Sequence, residues 1–344
     1  MSYFERPSSF ILYAIGNDLT AWRNGDAKLI TAELKAIDNL LSMSNIGVPK
    51  IQTTTKTPVG YKRHERTLIK KAKANGEFRA NFEFQTGRIL NWILQECSTT
   101  EDTPSGYNTH DITIKDGQTP QNIALHTQRE VTTDNLRYDL LGLIPLDYKL
   151  AGSEEGDFEQ EIGFNVAKVL SSGTDDITKP SKCSDQNFNW NHLMLGGITK
   201  TYGGSAMGFD ATGLEINFTN TGWMGVKDSG GLSTVAKNKK FDYKLMLTAK
   251  PKDSGESLYT ISKTDYSDYT AGGIDIALKF ARNATNDYVQ FTYSNMMLEP
   301  LDEAIADEDQ QFEQYDLMFV PGDDSTLAVK IVDSYNNDHY ENPA

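Results

Sequence analysis

Alternation with a period of two runs through most of this 344-residue chain and points to sheets before any other architecture. Over Gly76–Phe84, the residues Phe78, Ala80, Phe82 and Phe84 fall on one face, with Glu77, Arg79, Asn81 and Glu83 on the other. Successive side chains of a strand point to opposite sides, so such a segment buries one face and wets the other, as antiparallel sheets do. The pattern returns at Leu214, Ile216 and Phe218, at Phe241, Tyr243, Leu245 and Leu247, and at Ile274, Ile276, Leu278 and Phe280. Val289, Phe291 and Tyr293, then Leu327, Val329 and Ile331, continue it. Gly- and Asp-rich turns at Lys115–Gly117, Gly152–Gly156, Asp228–Gly231 and Pro321–Ser325 separate the strands. Two segments carry helical spacing instead. Lys28–Leu41 sets Leu29 or Ile30, Leu34, Ile37 and Leu41 against Lys35 and Asp38, and Thr86–Cys97 puts Ile89, Leu90, Ile93 and Leu94 on one side. Both are expected to pack over an open sheet face.

The chain also resembles itself. Asn122–Asp134 (NIALHTQREVTTD) and Asp275–Asp287 (DIALKFARNATND) share Ile, Ala, Leu, Arg, Thr and Asp at an offset of 153. Phe158–Val166 meets Phe312–Val320 at an offset of 154, and Pro145-Leu146-Asp147 answers Pro300-Leu301-Asp302. Asn75–Phe84 and Asn238–Leu247 carry the alternating strand at an offset of 163. Ordered matches at nearly constant spacing imply one β-rich module used twice, over about residues 25–172 and 188–335. The expected domains are 1–172, with an N-terminal extension and a long loop over 50–74, and 188–344, joined by a polar linker over 173–187. In Phe312–Val320, Tyr315, Leu317 and Phe319 sit on the opposite parity from Phe312, which predicts a bulge or bend.

No catalytic or metal signature interrupts this pattern. The five histidines (His64, His110, His126, His192, His339) are dispersed, without an HExxH pair, and no phosphate-cradling glycine loop occurs. Gly203-Gly204-Ser205-Ala206-Met207 misses the nucleophile elbow because Met207 stands where glycine is needed. Catalytic residues, metal ligands and cofactor-binding residues are therefore all expected to be absent. Cys97 and Cys183 match no zinc or redox spacing and read as free thiols of a reducing compartment. No apolar run is long enough to span a membrane, and the first ten residues lack a basic leader and cleavage site, so neither an anchor nor a signal peptide is expected. A net charge of −15 argues against wrapping nucleic acid, which needs surplus lysine and arginine.

Charge is nonetheless segregated. Tyr61–Lys73 holds Lys62, Arg63, Arg66, Lys70, Lys71 and Lys73 with Glu65 as its single acid. Glu299–Asp316 holds Asp302, Glu303, Asp307, Glu308 and Asp309 among its acids, with no base. A β-module with open borders tends to pair with another copy, and a covalent pair of modules keeps complementary outer borders that can close into a ring. The basic loop then reads as an arm whose charges meet the acids of a copy in the next ring.

Asn75–Leu94 (NGEFRANFEFQTGRILNWIL), Phe241–Leu247 (FDYKLML) and Gly272–Ser294 (GGIDIALKFARNATNDYVQFTYS) together resemble the tail tube proteins of tailed bacterial and archaeal viruses. The resemblance covers roughly Lys50 to Val332 and rests on strand pattern and order. It implies a mainly β chain of two tandem, similar β-barrel or sandwich tube domains, each with a short flanking helix: Thr86–Cys97 in the first, Glu256–Ser262 in the second. It implies trimeric, pseudo-hexameric rings, or hexameric rings of the same chain, stacked into a channel for genome delivery. It further implies a place in the virion tail after synthesis in the host cytoplasm. The partners would be tape measure and tail-tip or terminator proteins, with viral DNA passing without specific binding. Lys50–Ala74 would contact the next ring, and Gly196–Gly213 could take that part in the second domain. The competing reading is a carbohydrate-binding, adhesin or baseplate module using Trp190, Trp223 and Tyr202 as stacking platforms.

Overall fold

The alternating segments become strands because their apolar halves share one core, while glycine and aspartate clusters take the turns. A computed structural model describes residues 9–16, 34–44, 52–56, 66–70, 76–102, 105–115, 122–129, 136–171, 181, 183–221, 223–224, 236–237, 240–252, 258, 261, 273–300, 315–336 and 339–340. The first half contributes β1 (Ser9–Gly16), β2 (Lys35–Ala36), β3 (Leu40–Met43), β4 (Gln52–Lys56), β5 (Arg66–Lys70), β6 (Gly76–Glu83) and helix α1 (Arg88–Leu94). It continues with β7 (Gln95–Asp102), β8 (Tyr107–Ile114), β9 (Asn122–Arg129), β10 (Leu136–Ser153) and β11 (Glu159–Ser171). The second half contributes α2 (Trp190–Gly196), β12 (Ile198–Tyr202), β13 (Ser205–Ala206), β14 (Phe209–Asn220), β15 (Trp223–Met224) and β16 (Ala236–Lys237). β17 (Phe241–Pro251), β18 (Ile274–Asn283), β19 (Asp287–Leu298) and β20 (Tyr315–Asp333) complete it.

The protein is mainly β. Among the described residues, sixteen strands pair antiparallel in one large sheet that does not close on itself, and β4–β5 and β15–β16 form separate two-stranded ribbons. The strand order within the halves is the same. The first runs β1-β9-β10-β11-β6-β3 and the second β12-β18-β19-β20-β17-β14. The short strands β2 and β13 pair with β1 and β12, each just ahead of β3 and β14 in the chain. Even the irregularities agree: β3 is bulged between Leu40 and Ser42 opposite Phe82 and Asn81, and β14 between Ala211 and Gly213 opposite Ala249 and Thr248. Each half also carries a two-stranded ribbon between these strands and β6 or β17. Gly196–Gly213, by contrast, runs through β12 and β13 into the large sheet.

Two sequence expectations are corrected. Residues 34–41 of the expected helix Lys28–Leu41 are not helical: they form β2 and the start of β3 with a bend at Asp38 between them, while 28–33 lie outside the described residues. The helical stripe required Leu41 inside and Asp38 outside, but Asp38 is buried and Leu41 is exposed. Tertiary hydrogen bonds to Asp38 override the local periodicity. The helix expected over Thr86–Cys97 is shorter, because Gln95 adopts a left-handed conformation (φ 73°) that ends α1 and turns the chain into β7. Of the segment Glu256–Ser262, only Leu258 and Ile261 are described; both are helical and buried.

The larger of two apolar clusters among the described residues runs through both halves. Phe280 of β18 makes edge-on contacts with Phe84 (5.3 Å), Phe158 (4.9 Å), Phe188 (6.0 Å) and Phe291 (6.1 Å). The last residues of the expected linker are drawn into this junction, the Asp185 carbonyl accepting from the Gln85 amide (2.8 Å) and the Gln186 carbonyl from Arg282 (2.6 Å), and Phe188 follows directly after them. The Phe188 N–H donates to the Phe84 carbonyl (2.8 Å), and the Phe188 carbonyl accepts from the Phe158 N–H (3.0 Å). Burial also raises several phenols: Tyr13 to about 12, and Tyr148, Tyr293 and Tyr340 well above their ordinary value. These groups contribute stability that is complete below pH ~10, where the unfolded chain starts to ionise its tyrosines, and that is lost as pH rises towards the folded values. Denaturant midpoints measured across alkaline pH should fall over that window. A subset of phenolate absorbance should appear only on unfolding.

Candidate assembly surfaces

β10 is long enough to serve two neighbours along one border. Its first part pairs with β9, and Asp147–Ser153 pair with Thr219–Gly213 of β14, so the second half begins where the first half's own sheet leaves off. Across this junction the rings of Tyr148 and Phe218 stack (5.5 Å, 21°) and Leu150 lies opposite Ile216. On the wetter face Lys149 pairs with Glu215 (2.6 Å), and Asn217 donates to the same carboxylate (2.9 Å). Arg79 holds Asp147 (2.6 Å) and Glu161 (3.0 Å) together beside it. Such exposed ion pairs add little stability. The buried face fixes the register, because a one-residue slip would turn the stacked rings out of the core.

A second junction joins the halves at the far end. Asn108–Thr113 of β8 pair with Asp333–Ala328 of β20. Tyr340 is fully buried there, stacked on His110 (3.8 Å), with its hydroxyl donating to Asp333 and its carbonyl accepting from the Asn91 amide. The Tyr13 hydroxyl donates to the His339 carbonyl (3.0 Å). The end of the second half is therefore clasped by strands and a helix of the first.

Beneath the clasp lies a buried ion pair. The Asp38 carboxylate (2% exposed) accepts from the Thr86 N–H (3.0 Å) and hydroxyl (2.6 Å), the Gln160 amide (2.7 Å) and Arg88 (3.3 Å). Burial raises the Asp38 pKa, against the pull of Arg88 and the hydrogen bonds. The Arg88 guanidinium also donates to the Ala36 carbonyl (2.9 Å) and lies over the Tyr335 ring (4.2 Å). One network thus ties the β2–β3 stretch, α1, β11 and the end of the second half.

Of the basic residues singled out in the sequence, Arg66 and Lys70 lie on β5, opposite Lys56 and Gln52 of β4. Lys62, Arg63, Lys71 and Lys73, and their expected partners Asp302, Glu303, Asp307, Glu308 and Asp309, lie outside the described residues. His126 contacts Asp139 (2.7 Å) inside the sheet, and His192 accepts from the Asn189 N–H (3.1 Å) as the Asn189 side chain accepts from the His192 N–H, capping α2. That helix was missed in the sequence. Asparagine is a favoured cap, but its reciprocal partner three residues on is histidine instead of the usual Glu or Gln. Trp190 is buried and stacked on Phe158 (6.1 Å), so it offers no exposed platform for a sugar; the Trp223 side chain lies outside the described part. Among the described residues no group of three or more His, Cys, Asp or Glu side chains is arranged to hold a metal. Among them also, no helix is long and apolar enough to cross a membrane. No protein-family model and no curated protein matches the chain.

Proposed function

We propose that the chain is a structural, self-assembling protein: two copies of one β-module that join head to tail into rings, the rings stacking into the tube of a viral tail. The observation that carries this reading is the β10–β14 junction between halves of identical strand order. A heterologous contact leaves each end of the chain with the half of the interface that the other end needs, and it closes into a ring when the rotation per module fits. Three chains would supply six modules. The resemblance to tail tube proteins supports this number and assigns the channel to the passage of DNA. An excess of acids suits such a channel, because basic walls would hold phosphates through counterion release. The basic loop over 50–74 and the acids Asp302, Glu303, Asp307, Glu308 and Asp309 then serve the contact between successive rings. Tape measure and terminator proteins would set the length of the stack, in the virion tail.

Negative-stain microscopy of concentrated protein tests the reading. Rings or tubes with a central channel are expected. Compact particles of one chain at every concentration would overturn it.

A further inference from the structure

We propose that the outer border of β3 in one copy takes the place against the end of β19 in a second copy that β14 takes against β10 within the chain. This rests on the ring reading above and names the surfaces that form the ring. The correspondence comes from the sheet itself. Aligning the two bulges puts Leu40, Ser42 and Met43 of β3 in the places of Ala211, Gly213 and Leu214 of β14. The same alignment carries Arg79 to Met246 and Ala80 to Leu247, one strand further in. Following the pairings outwards, Gly163 then corresponds to Met318, and Asp147 to Glu299, whose N–H donates to the Met318 carbonyl (2.9 Å). Glu299 and Pro300 therefore stand where β10 begins to receive β14.

Exposure follows the same logic. Thr212, the extra residue of the β14 bulge, is 7% exposed, and its carbonyl accepts from the Glu154 N–H (3.1 Å) just beyond β10. Its counterpart Leu41 is 45% exposed, one of three large apolar side chains so exposed among the described residues. β3 also ends the path of the large sheet, and among the described residues it pairs with β6 alone. A border strand with unpaired N–H and C=O groups is a template on which another chain can pair. The second copy is the occupant because the chain already contains both sides of the contact once, in β10 and β14. The two borders differ, so each copy gives one and receives one.

Complementation between border variants tests this. Leu41→Lys with Ser42→Lys blocks the β3 border, and Glu299→Lys with Pro300→Lys blocks the β19 end. All four positions are exposed, so the fold should survive, which circular dichroism and melting would check. By light scattering, each variant alone should be monomeric at concentrations where the natural chain forms rings. An equimolar mixture should give a dimer and nothing larger, because one good border remains on each partner. If either variant alone still forms the natural oligomer, or the mixture stays monomeric or forms full rings, the border assignment is wrong while the ring reading stands. A natural chain that is monomeric throughout overturns both.

Discussion

Replacing Asp38 with alanine is expected to lower the unfolding free energy by about 3–5 kcal/mol, the usual cost of leaving one partner of a buried ion pair uncompensated. The change strands the Arg88 guanidinium at 3% exposure and removes the acceptor shared by Thr86, Gln160 and the Gln85 backbone N–H. Most natural domains have only about 5–15 kcal/mol in hand, so the loss would be plain in a denaturant titration. Replacing both partners with apolar residues, Asp38→Leu with Arg88→Met, should recover much of the deficit, since desolvation of the two charges is then avoided. A single Asp38→Ala change costing under about 1 kcal/mol would mean that water reaches the site and the network is not closed.

The second large effect is expected at Phe280. Truncation to alanine removes a ring that touches four others and should cost about 3–5 kcal/mol through lost burial and the cavity left behind. Phe84 and Phe158 belong to the first half, Phe291 to the second, and Phe188 to the stretch between them. The loss should therefore lower the unfolding of both halves together, as one transition. Two separated transitions in Phe280→Ala, with the first half unmoved, would show that the halves hold their cores independently. Buried probes such as Trp92 in the first half and Tyr293 in the second could report the two events.

Much of this fold is legible in the chain. Strands β6, β14, β17, β18, β19 and the end of β20 follow from period-two alternation, because each has one face on the core and the other facing out. The two halves share a strand order, and the sequence matches between them follow it only loosely in register. Leu125 lies between Tyr13 and Leu140 as Leu278 lies between Ile198 and Phe291, at the offset of 153 found in the sequence. Further along, Phe164 opposite Phe78 answers Phe319 opposite Leu245, an offset of 155 where the sequence match gave 154. For β6 and β17 the matched bulges give 167 (Phe82 to Ala249) instead of 163. A bulge adds a residue to one strand of a pair, so the strand order is kept while the sequence offset between matched strands drifts from one pair to the next. Asp38 fails for a related reason: a charge on a helical stripe looks solvated until the donors that surround it, far away in sequence, are known. The assembly surfaces were least legible, since an exposed leucine on a border strand has meaning only once the strand order shows where the sheet ends.

The hairpin β7–β8 gives this chain a directional mark. It fills residues 95–114 between α1 and β9, where 27 residues of sequence separate the two elements, against 12 between Ile261 and β18 in the second half. If the hairpin marks the first module only, a ring of such chains would carry it on alternate modules, so a circle of six would repeat every 120° and not every 60°, by the two-module arithmetic proposed above. Images averaged under sixfold symmetry would smear the hairpin to half density; averaged under threefold symmetry, it should stand out as the feature that tells one half of the molecule from the other.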